Sequence, residues 1–215
     1  MRERYGESIF YLKKKSERKG VYGMVSRHCR FGEDSIEKMV DWTLENVPIT
    51  SQPRILEIGS GNGTLLFALH EAGYTASHLS GIDYSPDAVK LAHMVARTQN
   101  SEQVAFHVCD FLSELPPPPS LSLPSPAASA QLDAGALSSW DLLLDKGTYD
   151  AIALGEKDES GRSPVAAYPV RASKLLKEDG YLLITCKSQD NLVISKCPLD
   201  RSLQFYRRGV EGELR

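Results

Sequence analysis

"RILEIGSGNGTLLFALHEAG", residues Arg54–Gly73, decides the fold. The apolar run to Ile58 reads as a buried strand, and Gly59, Gly61 and Gly63 as a tight turn. Thr64–Glu71 reads as a helix, ended by Gly73 in the left-handed position that favours glycine. A strand, a glycine turn and a helix in that order are a site for a nucleotide-like ligand. The spacing narrows its kind. A dinucleotide site uses GxGxxG, with a pyrophosphate resting on the helix N-terminus. Here the third small position falls on Thr64, and Glu57 brings negative charge to where a pyrophosphate would lie.

Outward from this stretch, strands and helices alternate. Upstream, "GEDSIEKMVDWTLENV" predicts a helix capped by Asp34 or Ser35, with Ile36, Met39, Val40, Leu44 and Val47 on its apolar face. Downstream, "HLSGIDYS" predicts a second strand. Ser85-Pro86 opens a second helix with the stripe Ala88, Leu91, Ala92, Val95. "VAFHVCDF" predicts a third strand and Asp141–Leu144 a fourth, ending at Asp145. A helix over Pro164–Lys177 and the strand "YLLITC" follow. Such alternation implies an α/β fold with a doubly wound, Rossmann-like parallel sheet. Between the third and fourth strands, residues 116–139 are rich in proline and small polar residues, the composition of a flexible loop insertion. Residues 1–30 show weak periodicity and read as a partly disordered lead-in to a single domain over 31–215. Their basic stretch "YLKKKSERKG" suits a solvated segment or one that docks on an acidic surface.

Composition excludes several classes. The 215 residues suffice for one full core, and 41% hydrophobic with 25% charged residues is ordinary for a soluble protein. A net charge of -3 gives no reason to expect nucleic acid or an anionic membrane as partner. Cys29, Cys109, Cys186 and Cys197 form no CxxC pair and no zinc-like cluster, so no metal is expected and the thiols read as reduced. Without a membrane-length apolar run or a signal-peptide core, the expected compartment is the cytoplasm.

In a doubly wound sheet the ligand binds beyond the carboxyl ends of the strands, where strand order reverses. This singles out Glu57–Gly63, Asp83, Asp110 and Asp145. A cofactor that is cationic and lacks phosphate removes the objection raised by Glu57. S-adenosylmethionine is such a molecule, and glycines let the backbone approach it without Cβ clashes. Asp83, about 20 residues past the turn, suits ribose hydroxyls. Asp110-Phe111 suits adenine, the carboxylate accepting from the exocyclic amine and the ring lining the slot.

"LEIGSGNG", "GIDYSPDAVKLA", "DFL" and "LLDKGTYDAIAL" resemble the class I seven-β-strand S-adenosylmethionine-dependent methyltransferases. Within these, "FGEDS", "GSGNG", "GIDYS" and "DKGTYDA" resemble the protein-lysine methyltransferases that modify translation elongation factor 1-alpha. The likeness spans roughly Phe31 to Cys186. It implies methylation of a lysine on a folded protein partner by a cytoplasmic enzyme, and fungal members are also linked to intracellular (vesicle) transport; a monomer is expected. By position, Glu57, Gly59, Gly61 and Gly63 would cradle the methionine part. Asp83 and Tyr84 would hold the ribose, and Asp110 and Phe111 the adenine. Asp145, with Lys146 beside it, would face the transferable methyl and the incoming lysine as the catalytic pair. The chain departs from the pattern at Arg30, where the family has tryptophan, and after "LLITC". There "KSQDNLVISKCPLDRSLQFYRRGVEGELR" yields no readable closing strand pair, so the seven-stranded sheet can be incomplete on that side. Other readings are a small-molecule or RNA methyltransferase of the same fold, a nucleotide-fold oxidoreductase, and a cofactor-binding but inactive adaptor.

Overall fold

A computed structural model describes residues 8–14, 33–119, 139–157, 160–186 and 203–206. Strands β1 (Ser8–Lys14), β2 (Ile55–Ile58), β3 (Leu79–Asp83), β4 (Ala105–Val108), β5 (Trp140–Lys146), β6 (Leu176–Cys186) and β7 (Leu203–Tyr206) form one sheet. Their order is β4-β3-β2-β5-β6-β1-β7. The first five run parallel, and β1 is antiparallel to both its neighbours, β6 and β7. The α-helices are α1 (Glu33–Asn46), α2 (Thr64–Glu71), α3 (Pro86–Thr98), α4 (Thr148–Ala153) and α5 (Tyr168–Leu175).

The far side of the sheet differs from expectation. Its last two positions are filled, one from each end of the chain: β1 lies in the stretch read as a lead-in, and β7 in the tail where no strand could be read. Most of the proline-rich insertion (120–138) lies outside the described residues.

The strand period of two sorts side chains to opposite faces of the sheet. Ile55, Leu142, Leu144 and Leu183 join a core with Met39 and Trp42 of α1, Leu65, Leu66 and Leu69 of α2, and Val89, Ala92 and Ala96 of α3. Leu56, Ile58, Leu143, Leu182 and Ile184 join a second core with Tyr168, Ala172 and Leu175 of α5. Trp140 breaks the alternation, packing in the second core although Leu142 packs in the first. The cause is a bulge: the amides of Asp141 and Leu142 both donate to the Arg54 carbonyl, and the β5–β6 register shifts there.

Helix ends follow local chemistry. α2 closes in a Schellman motif, with Tyr74 N–H donating to Leu69 O and Gly73 N–H (φ +108°) to His70 O. Ser85 caps α3, its hydroxyl accepting from Ala88 N–H, with Pro86 at the first helical position as read. Ser85→Ala should cost about 1 kcal/mol, read as a lower denaturation midpoint with an unchanged slope.

Three local expectations are corrected. α1 spans Glu33–Asn46, so Asp34 and Ser35 lie within its first turn rather than ahead of it. Its buried face carries Trp42 in place of Leu44, which is exposed, and in α3 Val89 and Ala96 are buried where Leu91 is exposed. Both stripes are rotated by about one residue, which periodicity alone does not resolve. The helix expected over 164–177 is a 3-10 turn (Pro164–Ala167) followed by α5. Pro169 lies in the first turn of α5, where its missing N–H is not needed. Strand β6 then begins at Leu176, five residues earlier than expected.

Candidate active site

β2 sits between β3 and β5, and the chain runs outward from it first to β3 and β4, then to β5 and β6. Strand order therefore reverses between β2 and β5, and a crevice opens beyond their carboxyl ends. Two turns meet there. The glycine turn leaves β2, and "DKGT" leaves β5. Thr148 locks them together by donating its hydroxyl to Ile58 O at 3.0 Å. A Cβ on Gly59 (φ +70°) would lie 1.8 Å from that hydroxyl oxygen, so Thr148 needs glycine opposite it.

The glycine turn is tied to β3 as well. Gly59 and Ser60 N–H donate to Ile82 O at 2.8 and 2.9 Å. Gly61 N–H donates to one Asp83 carboxylate oxygen, and Ser85 N–H to the other, both at 2.9 Å. Asp83 thus fixes the turn and the start of α3 together. Gly61 (φ +54°) has nothing within 4 Å of where a Cβ would stand, so its backbone is open to a ligand.

Alternation puts Glu57, Asp83 and Lys146 on one face of the sheet, in line with Ile55, Leu79 and Leu144. Glu57 is 1% exposed, and its Oε2 has no hydrogen-bond partner among the described residues. Burial raises its pKa well above the usual carboxyl value. The Lys146 ammonium opposes that rise, while the Asp145 and Asp83 carboxylates add to it. Lys146 and Asp145, adjacent on β5, point to opposite faces of the sheet, and the Lys146 charge acts on Glu57 from the same face.

Asp145 lies on the other face, in line with Leu143. It is 0% exposed, and its carboxylate accepts from three donors, two in the turn that follows β5 and one on α5. Thr148 N–H donates to Oδ1 at 2.7 Å, Tyr149 N–H donates to the same carboxylate, and the Tyr168 hydroxyl donates to Oδ2 at 2.5 Å. Burial pushes its pKa up to about 6, and the Tyr168 hydroxyl and the two amides pull the other way. Its carboxylate, expected to face the incoming amine, is closed in by the turn that it anchors.

The adenine-side residues also have partners within the chain. Asp110 accepts from Leu112 N–H at 3.0 Å and from the Ser113 hydroxyl at 2.6 Å, which hold its carboxyl below the usual value. The Phe111 ring is buried against Tyr168, centroids 4.7 Å apart, rather than lining an open slot. Tyr84 is 79% exposed at the end of β3. Two residues the sequence did not reveal hold these turns: Tyr168 on Asp145, and Arg171, whose guanidinium donates to Phe111 O and Glu114 O. Their spacing on one helical face was legible; their distant partners were not.

A parallel sheet in this order, with a glycine turn and an acid at its switch point, defines the class I methyltransferase fold. The family model described as "Methyltransferase domain" matches residues 49–204, and the chain belongs to that family, whose cofactor is S-adenosylmethionine. The chain is 34% identical to the protein-lysine N-methyltransferase efm4 of Schizosaccharomyces pombe, over 72% of this chain and 63% of that protein. It is 32% identical to the protein-lysine N-methyltransferase EFM4 of Saccharomyces cerevisiae, over 77% of this chain and 67% of that protein. It is 31% identical to EEF1A lysine methyltransferase 2 of Homo sapiens, over 72% of this chain and 56% of that protein. The matched region thus spans just over half to two thirds of these relatives.

The residues present suit S-adenosylmethionine. A buried carboxylate oxygen lacking a partner, beside open glycine backbone, suits an ammonium. A pyrophosphate there would meet Glu57 and Asp83. Among the described residues, no helix is long and apolar enough to cross a membrane.

Proposed function

We propose that this protein is an S-adenosylmethionine-dependent protein-lysine N-methyltransferase acting on translation elongation factor 1-alpha. The observation that carries the reading is the buried Glu57 oxygen at the switch point, which has no hydrogen-bond partner among the described residues. The relatives' names supply the substrate class. In this reading Glu57, Gly59, Gly61 and Gly63 take the methionine part, Asp83 and Tyr84 the ribose, and the Asp110–Phe111 turn the adenine. The Lys146 charge on the same face moderates the cost of a charged Glu57, and Asp145 holds the turn that borders the methyl-accepting side. When bound, S-adenosylmethionine supplies the methyl as an already activated sulfonium substituent. The chain supplies alignment and exclusion of water. The substrate amine, with a free pKa of about 10.4, must shed its proton before attack. Residues 31–215 form the methyltransferase domain in this proposal, with β1 extending its sheet. In this proposal the protein is a monomer, and the resemblance to the family suggests a cytoplasmic setting and a link to intracellular transport.

Incubation with labelled S-adenosylmethionine and purified elongation factor 1-alpha, followed by mass spectrometry, should place methyl groups on a lysine of that factor. Label appearing instead on RNA or metabolites would move the protein to another substrate class. Cofactor binding without transfer to any of them would make it an adaptor.

A further inference from the structure

α5 is the element that touches both sides of the site. Tyr168 and Arg171 stand three residues apart, hence on one helical face. The Tyr168 ring packs in the core between Tyr149 and Phe111. A phenylalanine would fill that volume equally, so packing does not explain the hydroxyl. The hydroxyl is spent on Asp145, which in turn receives the amides of Thr148 and Tyr149. One turn further on, Arg171 donates to the carbonyls of Phe111 and Glu114, and its guanidinium carbon lies 5.8 Å from the Phe111 ring centroid. These contacts bridge 60 and 57 residues of chain. The planar guanidinium can serve two carbonyls at once, which a lysine ammonium on a flexible stem does far less well.

We propose that Tyr168 and Arg171 are positioning residues through which one face of α5 sets the separation of the two halves of the site. Tyr168 holds the 145–149 turn, and Arg171 independently holds the 110–114 turn. The proposal rests on the methyltransferase reading for what each turn binds. An error of about 1 Å in such a separation can cost about a hundredfold in rate, so a rigid gauge between the cofactor's adenine end and the acceptor side has a function.

The two holds are separable by amide hydrogen exchange, which requires no methyl acceptor. Tyr168→Phe should speed exchange at Thr148 and Tyr149 by about tenfold or more, the loss expected for one hydrogen bond to a charged group, and leave residues 112–114 protected. Arg171→Met should do the reverse, and Arg171→Lys should resemble it. Binding of S-adenosylhomocysteine should weaken about tenfold in Arg171→Met and stay within about threefold in Tyr168→Phe. Where transfer is measurable, Tyr168→Phe should lower kcat rather than raise KM. It should also move the acid limb of the rate upward in pH. Asp145 is faced by Tyr168 of α5 and by Thr148, Tyr149 and Asp150 of α4, with the Glu57 carboxyl acting on it only through space from the opposite face of the sheet, and losing the hydroxyl removes its largest lowering influence. Both turns loosening alike in either variant, or neither loosening, would overturn the proposal. Failure of wild-type protein to methylate elongation factor 1-alpha would instead count against the function reading alone.

Discussion

Glu57→Gln should stabilise the free protein and weaken its hold on S-adenosylmethionine, two opposite changes from one substitution. Glu57 is buried with one oxygen lacking a partner among the described residues, and burial, joined by two other carboxylates, outweighs the Lys146 charge, so its ionised form is disfavoured in the fold. A carboxyl whose folded pKa is raised contributes stability at low pH and loses it as pH climbs above the unfolded value. The gain from Gln should therefore be small at pH 5 and larger at pH 8. Each kcal/mol gained should appear as about 2–4 °C in melting temperature for a chain of this size. The same substitution removes the negative charge offered to the cofactor's ammonium, which should weaken binding about 10- to 100-fold, the range for a charge-assisted hydrogen bond. Thermal melts at the two pH values and calorimetric titration with the cofactor measure both arms. A lower melting temperature at pH 8, or unchanged affinity, would refute this account of Glu57. Strain kept at a site for function is the general case it exemplifies.

Gly59→Ala should damage both stability and cofactor binding. The residue has φ +70°, where a side chain costs about 1–2 kcal/mol. Its Cβ would also fall 1.8 Å from the Thr148 hydroxyl oxygen, and crowding of that kind costs about 1–3 kcal/mol more. The sum, about 2–5 kcal/mol, is a large part of a typical domain's stability. Because the clash is with the "DKGT" turn, the two turns must part, and cofactor affinity should fall with stability. Thr148→Ala removes the nearest atom but leaves a Cβ that would lie 2.9 Å away, so it should relieve the damage in part. Denaturant titration of both single variants and the double variant should give a coupling energy of about 1 kcal/mol or more. Strict additivity would show that the two turns do not interlock as described.

Much of this architecture was legible along the chain. Local signals placed α2 at Thr64–Glu71, Ser85 as the cap of α3, and the parallel strands to within a residue or two at most ends. These features are encoded by neighbours in sequence: glycine where φ is positive, serine before proline, apolar runs bounded by turns. The faces of α1 and α3 were less legible, because a helix stripe shifted by one residue has nearly the same periodicity. Strands β1 and β7 were not legible. Their pairing joins residues from opposite ends of the chain, such as Leu12 with both Leu182 and Phe205, and no short window contains both partners.

The site divides in the same way. By itself the sequence determined which residues lie at the carboxyl ends of the parallel strands, because strand ends and glycine turns are local. It also determined the character of the cofactor, because Glu57 precedes the turn. Only the tertiary structure decided what those residues do. It turned Asp145 inward as the anchor of a turn, put Lys146 on the same face of the sheet as Glu57 rather than that of Asp145, and brought Tyr168 and Arg171 onto turns far away in the chain. Which face a side chain takes, and which distant donor reaches it, depends on how strands and helices stack, and that is a property of the packed sheet rather than of any segment in it.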